Sequence, residues 1–131
     1  MMFVLVSGMV SASYCYRELK TTAIELYNTN PYITIYNTEK FVEETNNYKF
    51  YWDKRNICDY WDGFNGDCTE RANLAVNLLN RNDIRAKAVH GWCDGDKHDW
   101  YEFNVDGEWL SYEPYKFELC TELDKKGDGI W

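Results

Sequence analysis

Apolar and polar positions divide the chain into a helical first part and a strand-rich last part. Tyr16, Leu19, Ala23, Ile24, Leu26 and Tyr27 recur at helical spacing, predicting a helix over 16–27 that Asn28 to Pro31 stops. The run Tyr32-Ile33-Thr34-Ile35-Tyr36 reads as extended or irregular. A second short helix is expected over 38–46, with Thr38 at its N-cap and Phe41 and Val42 facing inward. The clearest helix follows Asn65-Gly66-Asp67, where Asp67 and Glu70 have the spacing of a capping box. Ala72, Leu74, Ala75, Val76, Leu78 and Leu79 give it a broad apolar face, and Asn80-Arg81-Asn82 supplies its end, predicting a span of 68–80.

Beyond it the period changes to two. Ile84, Ala86 and Ala88 alternate with Arg85 and Lys87, a half-buried strand ending near His90-Gly91-Trp92, and Cys93 to Lys97 reads as a loop. Tyr101, Phe103 and Val105 alternate with Trp100, Glu102 and Asn104, and Asp106-Gly107 then gives the strong two-residue hairpin signal before Trp109 to Tyr112. With those two residues as the turn, Val105 faces Glu108, Trp100 faces Glu113 and His98 faces Tyr115. Tyr101, Phe103, Val105, Leu110 and Tyr112 then share an apolar face that belongs on the core. The other face carries His98, Trp100, Glu102, Asn104, Trp109, Ser111 and Glu113.

A length of 131 residues suits one domain with its own core, assigned here to 16–131. The net charge of -8, with no cluster of Lys and Arg, argues against nucleic acid and against an anionic membrane surface. Residues 3–10 are apolar but too few to span a bilayer. With Ser11-Ala12-Ser13 behind them, residues 1–15 read either as the remnant of a secretion signal or as a buried apolar segment. That pattern favours a secreted or envelope location over the cytoplasm. Five cysteines, Cys15, Cys58, Cys68, Cys93 and Cys120, leave one thiol over after any full pairing; if Cys68 is that thiol, three connectivities remain for the other four.

Cys68 falls in the first turn of the best-defined helix, where the positive end of the helix dipole and unpaired N–H groups favour a thiolate and supply donors for an oxyanion. The adjacent Asp67 and Glu70 oppose that charge, so a cationic partner is needed to restore the balance. On the polar hairpin face Glu113 lies diagonal to His98, about 7 Å away between backbone positions, within reach of a glutamate side chain. Asp99 points to the opposite face. Glu102 is four residues along an extended strand, roughly 13 Å from His98. Glu113 is therefore the carboxylate expected to orient the imidazole while its other nitrogen takes the proton of Cys68. A buried structural thiol and a solvent-exposed His-Glu pair are the bland alternatives. His90 reads as structural.

A zinc site built from His90, Cys93 and His98 with Cys58 or Cys68 lacks any Cys-x-x-Cys pair, and the Asp-rich segments 94–99 and 124–128 lack calcium-loop spacing. No metal and no cofactor is therefore expected.

Gly66-Asp67-Cys68-Thr69-Glu70 opening an Ala/Leu-rich helix, Asn82-Asp83-Ile84-Arg85-Ala86 leading into a strand, His98-Asp99-Trp100, and Trp109-Leu110-Ser111-Tyr112-Glu113-Pro114 together resemble the transglutaminase-like core of cysteine peptidases and amidases. The resemblance covers roughly residues 40–115. It implies an α+β fold, a nucleophile-bearing helix packed on an antiparallel β-sheet in a papain-like arrangement, with Cys68 as nucleophile and His98 as base. The third member falls on Glu113, where the family usually has Asp before Pro. Trp61, upstream, is the aromatic residue that the resemblance offers for the acyl oxygen, and Trp100 is a second substrate-binding candidate. The implied activity is acyl transfer on amide or isopeptide bonds through a thioester, with hydrolysis favoured over protein crosslinking, on a peptide, protein or cell-wall peptide. The alternative from another class is a non-catalytic domain that grips a glycan or peptide with exposed Trp100 and Trp109.

Overall fold

The structure is a computed structural model that describes residues 7–93, 95–111 and 123–125, with side chains over 14–92 and 95–111. Among these residues three helices and one short helical turn pack on an antiparallel sheet, the α+β class expected. The order is α1 (Ser7–Leu26), α2 (Pro31–Thr45), β1 (Asn47–Tyr48), α3 (Ile57–Trp61), β2 (Asn65–Gly66), α4 (Cys68–Arg81), β3 (Ala86–Cys93), β4 (Asp96–Val105), β5 (Glu108–Ser111) and β6 (Leu123–Lys125).

Helix α2 corrects two expectations. It begins at Pro31 rather than 38, because Asn30 accepts the Tyr32 N–H as an N-cap and Pro31 needs no partner for its missing donor. The run 32–36 is therefore helical, and Thr38 lies mid-helix, where its hydroxyl donates to the Thr34 carbonyl at 2.7 Å instead of capping. Val42 is buried, as its inward placement required, and Phe41 is partly buried against the same core.

Helix α4 is the centre of the fold. Its buried Leu74, Leu78 and Leu79 pack with Leu19 of α1, Ile35 and Val42 of α2, and Tyr101, Phe103 and Val105 of β4. The large sheet runs β5-β4-β3-β6, and β4 pairs with β5 in the predicted register: Val105 with Glu108, Phe103 with Leu110, and Glu102 with Ser111. The turn works because Asp106 and Gly107 both take positive φ, 54° and 86°, the two left-handed positions of a type I′ turn. Between β3 and β4 the expected loop 93–97 is tighter, since Cys93 pairs with Asp96 and Trp92 with Lys97.

A disulfide between Cys15 and Cys58 ties α1 to α3. It selects Cys15–Cys58 from the pairings left open by the sequence. Among the described residues no helix is long and apolar enough to cross a membrane.

Candidate active site

The start of α4 is held by a set of side chains that all converge on Asp67 and Glu70. One oxygen of Asp67 accepts the Thr69 N–H at 2.9 Å, while Glu70 reaches back to the Asp67 N–H at 2.9 Å, completing the capping box. The second oxygen of Glu70 accepts the Arg55 N–H at 2.9 Å, and the second oxygen of Asp67 accepts from Lys54 Nζ at 2.7 Å. Segment 47–55 is thus stitched along the approach to the helix, with Lys49 N–H donating to the Gly66 carbonyl at 3.0 Å. Gly66 is required by close approach: a Cβ there would lie 2.6 Å from Glu70 Cβ and 2.9 Å from Tyr60 Cε1.

Cys68 is the first residue of α4, half-buried and outside any disulfide. Its environment combines the positive end of a helix with two nearly buried carboxylates, Asp67 and Glu70, the first of which caps that end. Lys54 stands among them. Its ammonium is held above the ordinary lysine range: burial works against this, and is outweighed by the hydrogen bond and charge of Asp67, with Glu70 and the Cys68 sulfur adding to it. Burial alone would push the Asp67 carboxyl up, but the hydrogen-bonding contacts of Lys54, Glu70 and the Thr69 N–H, with the charge of Lys54, outweigh it and hold Asp67 below the ordinary carboxylate range.

The β3–β4 register places His90 directly opposite Asp99. His90 Nδ1 and Asp99 Oδ1 are 2.7 Å apart, and Asp99 Oδ2 accepts from Thr69 Oγ1 at 2.6 Å. Asp99 is buried and His90 is 37% exposed, so the pair runs from the helix start to the surface. His98 sits opposite Gly91 and, one residue before Asp99, projects to the other face of β4, where it stacks on Trp100 with centroids 6.0 Å apart.

Of the residues singled out from sequence, Cys68 precedes Thr69 and His98 precedes Asp99 in the chain, but the face of β4 that meets the first turn of α4 carries Asp99, and the His98 ring lies on the other face with Trp100. Glu113 lies outside the described residues. Trp100 is 1% exposed, a correction to its expected exposure: β4 is an inner strand, and His98 covers the indole. Trp109 is exposed, as expected, with Lys87 and Arg85 over its ring. Trp61 donates its indole N–H to Glu18 at 3.2 Å and lines a groove of about 1090 Å³ between α1, α2 and α3, whose walls include neither Cys68 nor His98. The zinc alternative loses Cys58 to the disulfide.

Two features escaped the sequence reading. The His90–Asp99 pair follows from counting back from the tight 93–96 connection, a register readable only once that loop is known to be short. Lys54 carries no periodic or motif signal, and its place at the helix start is set by tertiary contacts alone.

Comparison with known proteins agrees with this architecture. Chains of similar fold include a candidate cysteine protease of Cytophaga hutchinsonii (TM-score 0.66, 17% identity, 83% of this chain and 40% of that one). A protein described as a TGase superposes with a TM-score of 0.68 at 11% identity, over 97% of this chain and 37% of its own. The periplasmic domain of TgpA from Pseudomonas aeruginosa follows at 0.59 and 18%, over 76% of this chain and 43% of that domain. The chain thus spans less than half the length of each of these structures. No curated protein matches it in sequence. The core of the transglutaminase-like superfamily matches residues 20–114, most of the chain, from the last turns of α1 through α4, β3, β4 and β5, and the chain belongs to that superfamily.

Proposed function

We propose that the chain performs cysteine-dependent acyl transfer on amide or isopeptide bonds, with hydrolysis as the outcome. The observation that carries this reading is an unpaired thiol, Cys68, at the first position of a fully capped helix within a transglutaminase-like fold. The Cys68 sulfur attacks the carbonyl carbon, forming a C–S bond, while the Cys68 N–H at the first position of α4, the one that the capping box leaves over, receives the negative oxygen. The C–N bond then breaks, and the amine leaves with a proton from the imidazolium. Water, deprotonated by the same imidazole, cleaves the thioester to release the acid and restore the thiol. His98 is the base by its match to the family's His-x-Trp pattern, with Glu113 as the orienting carboxylate, a role that requires its ring to reach Cys68 from the face of β4 opposite to Asp99. The substrates that fit are peptides, including cell-wall peptides, and the Cys15–Cys58 disulfide supports an oxidising compartment. A compact domain has little surface with which to exclude water and hold a protein amine, which favours hydrolysis over crosslinking.

A specific observation favours a second assignment of the base. His90 already has a carboxylate on Nδ1, and that carboxylate is bonded to the residue after Cys68. In this reading His90 and Asp99 serve Cys68 and His98 is a packing residue.

One experiment tests both. Alkylation of native protein with a stoichiometric electrophile at neutral pH, located by mass spectrometry, should modify Cys68 selectively. Loss of that reaction in His98→Ala but not His90→Ala supports the first assignment, and the reverse pattern the second. Reaction of Cys68 no faster than an unfolded thiol, indifferent to both substitutions, would sink the enzyme reading. It would leave a binding domain, for which the buried Trp100 is a poor ligand platform.

A further inference from the structure

We propose that Lys54 is a positioning residue of the nucleophile: its ammonium offsets the buried carboxylate that caps α4 beside Cys68 and thereby sets how readily that thiol reacts. The proposal rests on the reading of Cys68 as nucleophile.

A conflict of charge is built into the start of α4. Asp67 and Glu70 cannot be dispensed with, because they satisfy the Thr69, Asp67 and Arg55 N–H groups. Both are nearly buried, at 6% and 1% exposure, and they stand one residue before and two residues after Cys68 in the chain. A helix N-terminus supplies the equivalent of about half a positive charge, which cannot offset two carboxylates. A further cation is needed, and Lys54 meets the requirement, with Nζ 2.7 Å from Asp67 and its side chain only 35% exposed. The ring of Phe50, 4.2 Å from Nζ, shields it on another side.

The other charged groups around this point do not fill that role. The Arg55 guanidinium is spent on the Asp59 and Asn65 carbonyls and the Tyr51 hydroxyl, at 2.5, 3.4 and 3.3 Å. Arg71 lies against Glu39 of α2 at 4.0 Å. From the sheet, Asp99 brings a third carboxylate to Thr69, with His90 as its own partner, and His98 stands on the far face of β4. Asp67, Glu70 and, least, Cys68 all add to the upward hold on the Lys54 ammonium, against the effect of its burial.

The test is the pH profile of Cys68 alkylation by iodoacetamide in the full chain, comparing wild type with Lys54→Met, Lys54→Arg, Asp67→Asn and the double variant Lys54→Met/Asp67→Asn. Lys54→Met should move the midpoint of the profile to higher pH and slow reaction near neutrality by roughly tenfold, the scale of one nearby charge. Lys54→Arg should keep most of the rate. Asp67→Asn retains a good N-cap and removes a negative charge, so it should speed the reaction at low pH and restore much of the rate when added to Lys54→Met. An unmoved profile in Lys54→Met, or Lys54→Arg as slow as Lys54→Met, overturns the proposal. If Lys54→Met fails to fold, Asp67→Asn alone decides: an unchanged profile overturns it. Failure of the nucleophile reading is distinguishable, because it appears in the His98→Ala and His90→Ala arms while the effect of Lys54 on the thiol is still measured.

Discussion

Thr69 donates its hydroxyl to Asp99 across 2.6 Å, and this bond fixes the first turn of α4 to β4 between Cys68 and His98. Asp99 is 5% exposed, so the carboxylate depends on protein donors for its solvation. Thr69→Val keeps the shape of the side chain and removes the donor. It should cost about 1 to 3 kcal/mol, the penalty for leaving a buried charged acceptor one partner short. Urea titration measures this directly, and an unchanged midpoint would show that the bond contributes nothing to holding the helix on the strand.

Gly66 is where the fold has least room. A methyl group there meets the base of the Glu70 side chain at 2.6 Å and the ring of Tyr60 at 2.9 Å. Glu70 is clamped by two backbone donors and Tyr60 is 1% exposed, so neither neighbour can swing away. Gly66→Ala should therefore destabilise the chain by about 3 kcal/mol, at the upper end of ordinary overpacking, because the clash falls on the residues that cap α4. A melting temperature within about 2 °C of wild type would contradict the close approach.

What the sequence revealed and concealed follows from the range of the forces involved. Helix α4 was legible because its cap, apolar face and end are all local: the observed 68–81 differs from the expected 68–80 by one residue. The β4–β5 register was legible because Asp106-Gly107 admits one turn geometry. Residues 32–36 were not, since alternating Ile and Tyr suit a strand locally, and the decision was made by Asn30 and Pro31 at the cap and by burial of Thr34 and Ile35. The same limit applied at the site. Cys68 was marked by its helix, whereas the contacts of Asp99 with His90 and Thr69 depend on long-range packing that no local pattern encodes.

The Cys15–Cys58 bridge closes a loop with a sequence separation of 43 residues and fastens α1, whose Leu19 and Ala23 are buried in the core, to the short α3. A chain-entropy estimate for a loop of that size is about 4 kcal/mol. The double substitution Cys15→Ser/Cys58→Ser should lose about 2 to 4 kcal/mol in guanidinium titration, and reductant should destabilise wild type but not the variant. Equal midpoints with and without reductant in wild type would show that the bridge is not formed.

The Lys54–Asp67 pair makes a further prediction about pH. Asp67 is held below its ordinary range in the folded chain, so the unfolded chain binds its proton more readily. Its contribution to stability is then fully present above the ordinary carboxylate range and is lost as pH falls toward the depressed folded value. Lys54 is shifted upward, so its contribution is present below the ordinary ammonium range and fades only as pH rises through the raised value. Across neutral pH both contributions are in place. The stability difference between wild type and Asp67→Asn should therefore be flat around neutrality and shrink below the ordinary carboxylate range, because the variant has no proton to take up at that position. Urea titrations at a series of pH values read this difference. If it stays constant into strong acid, the carboxylate is not held in its charged form by Lys54 and the capping N–H groups.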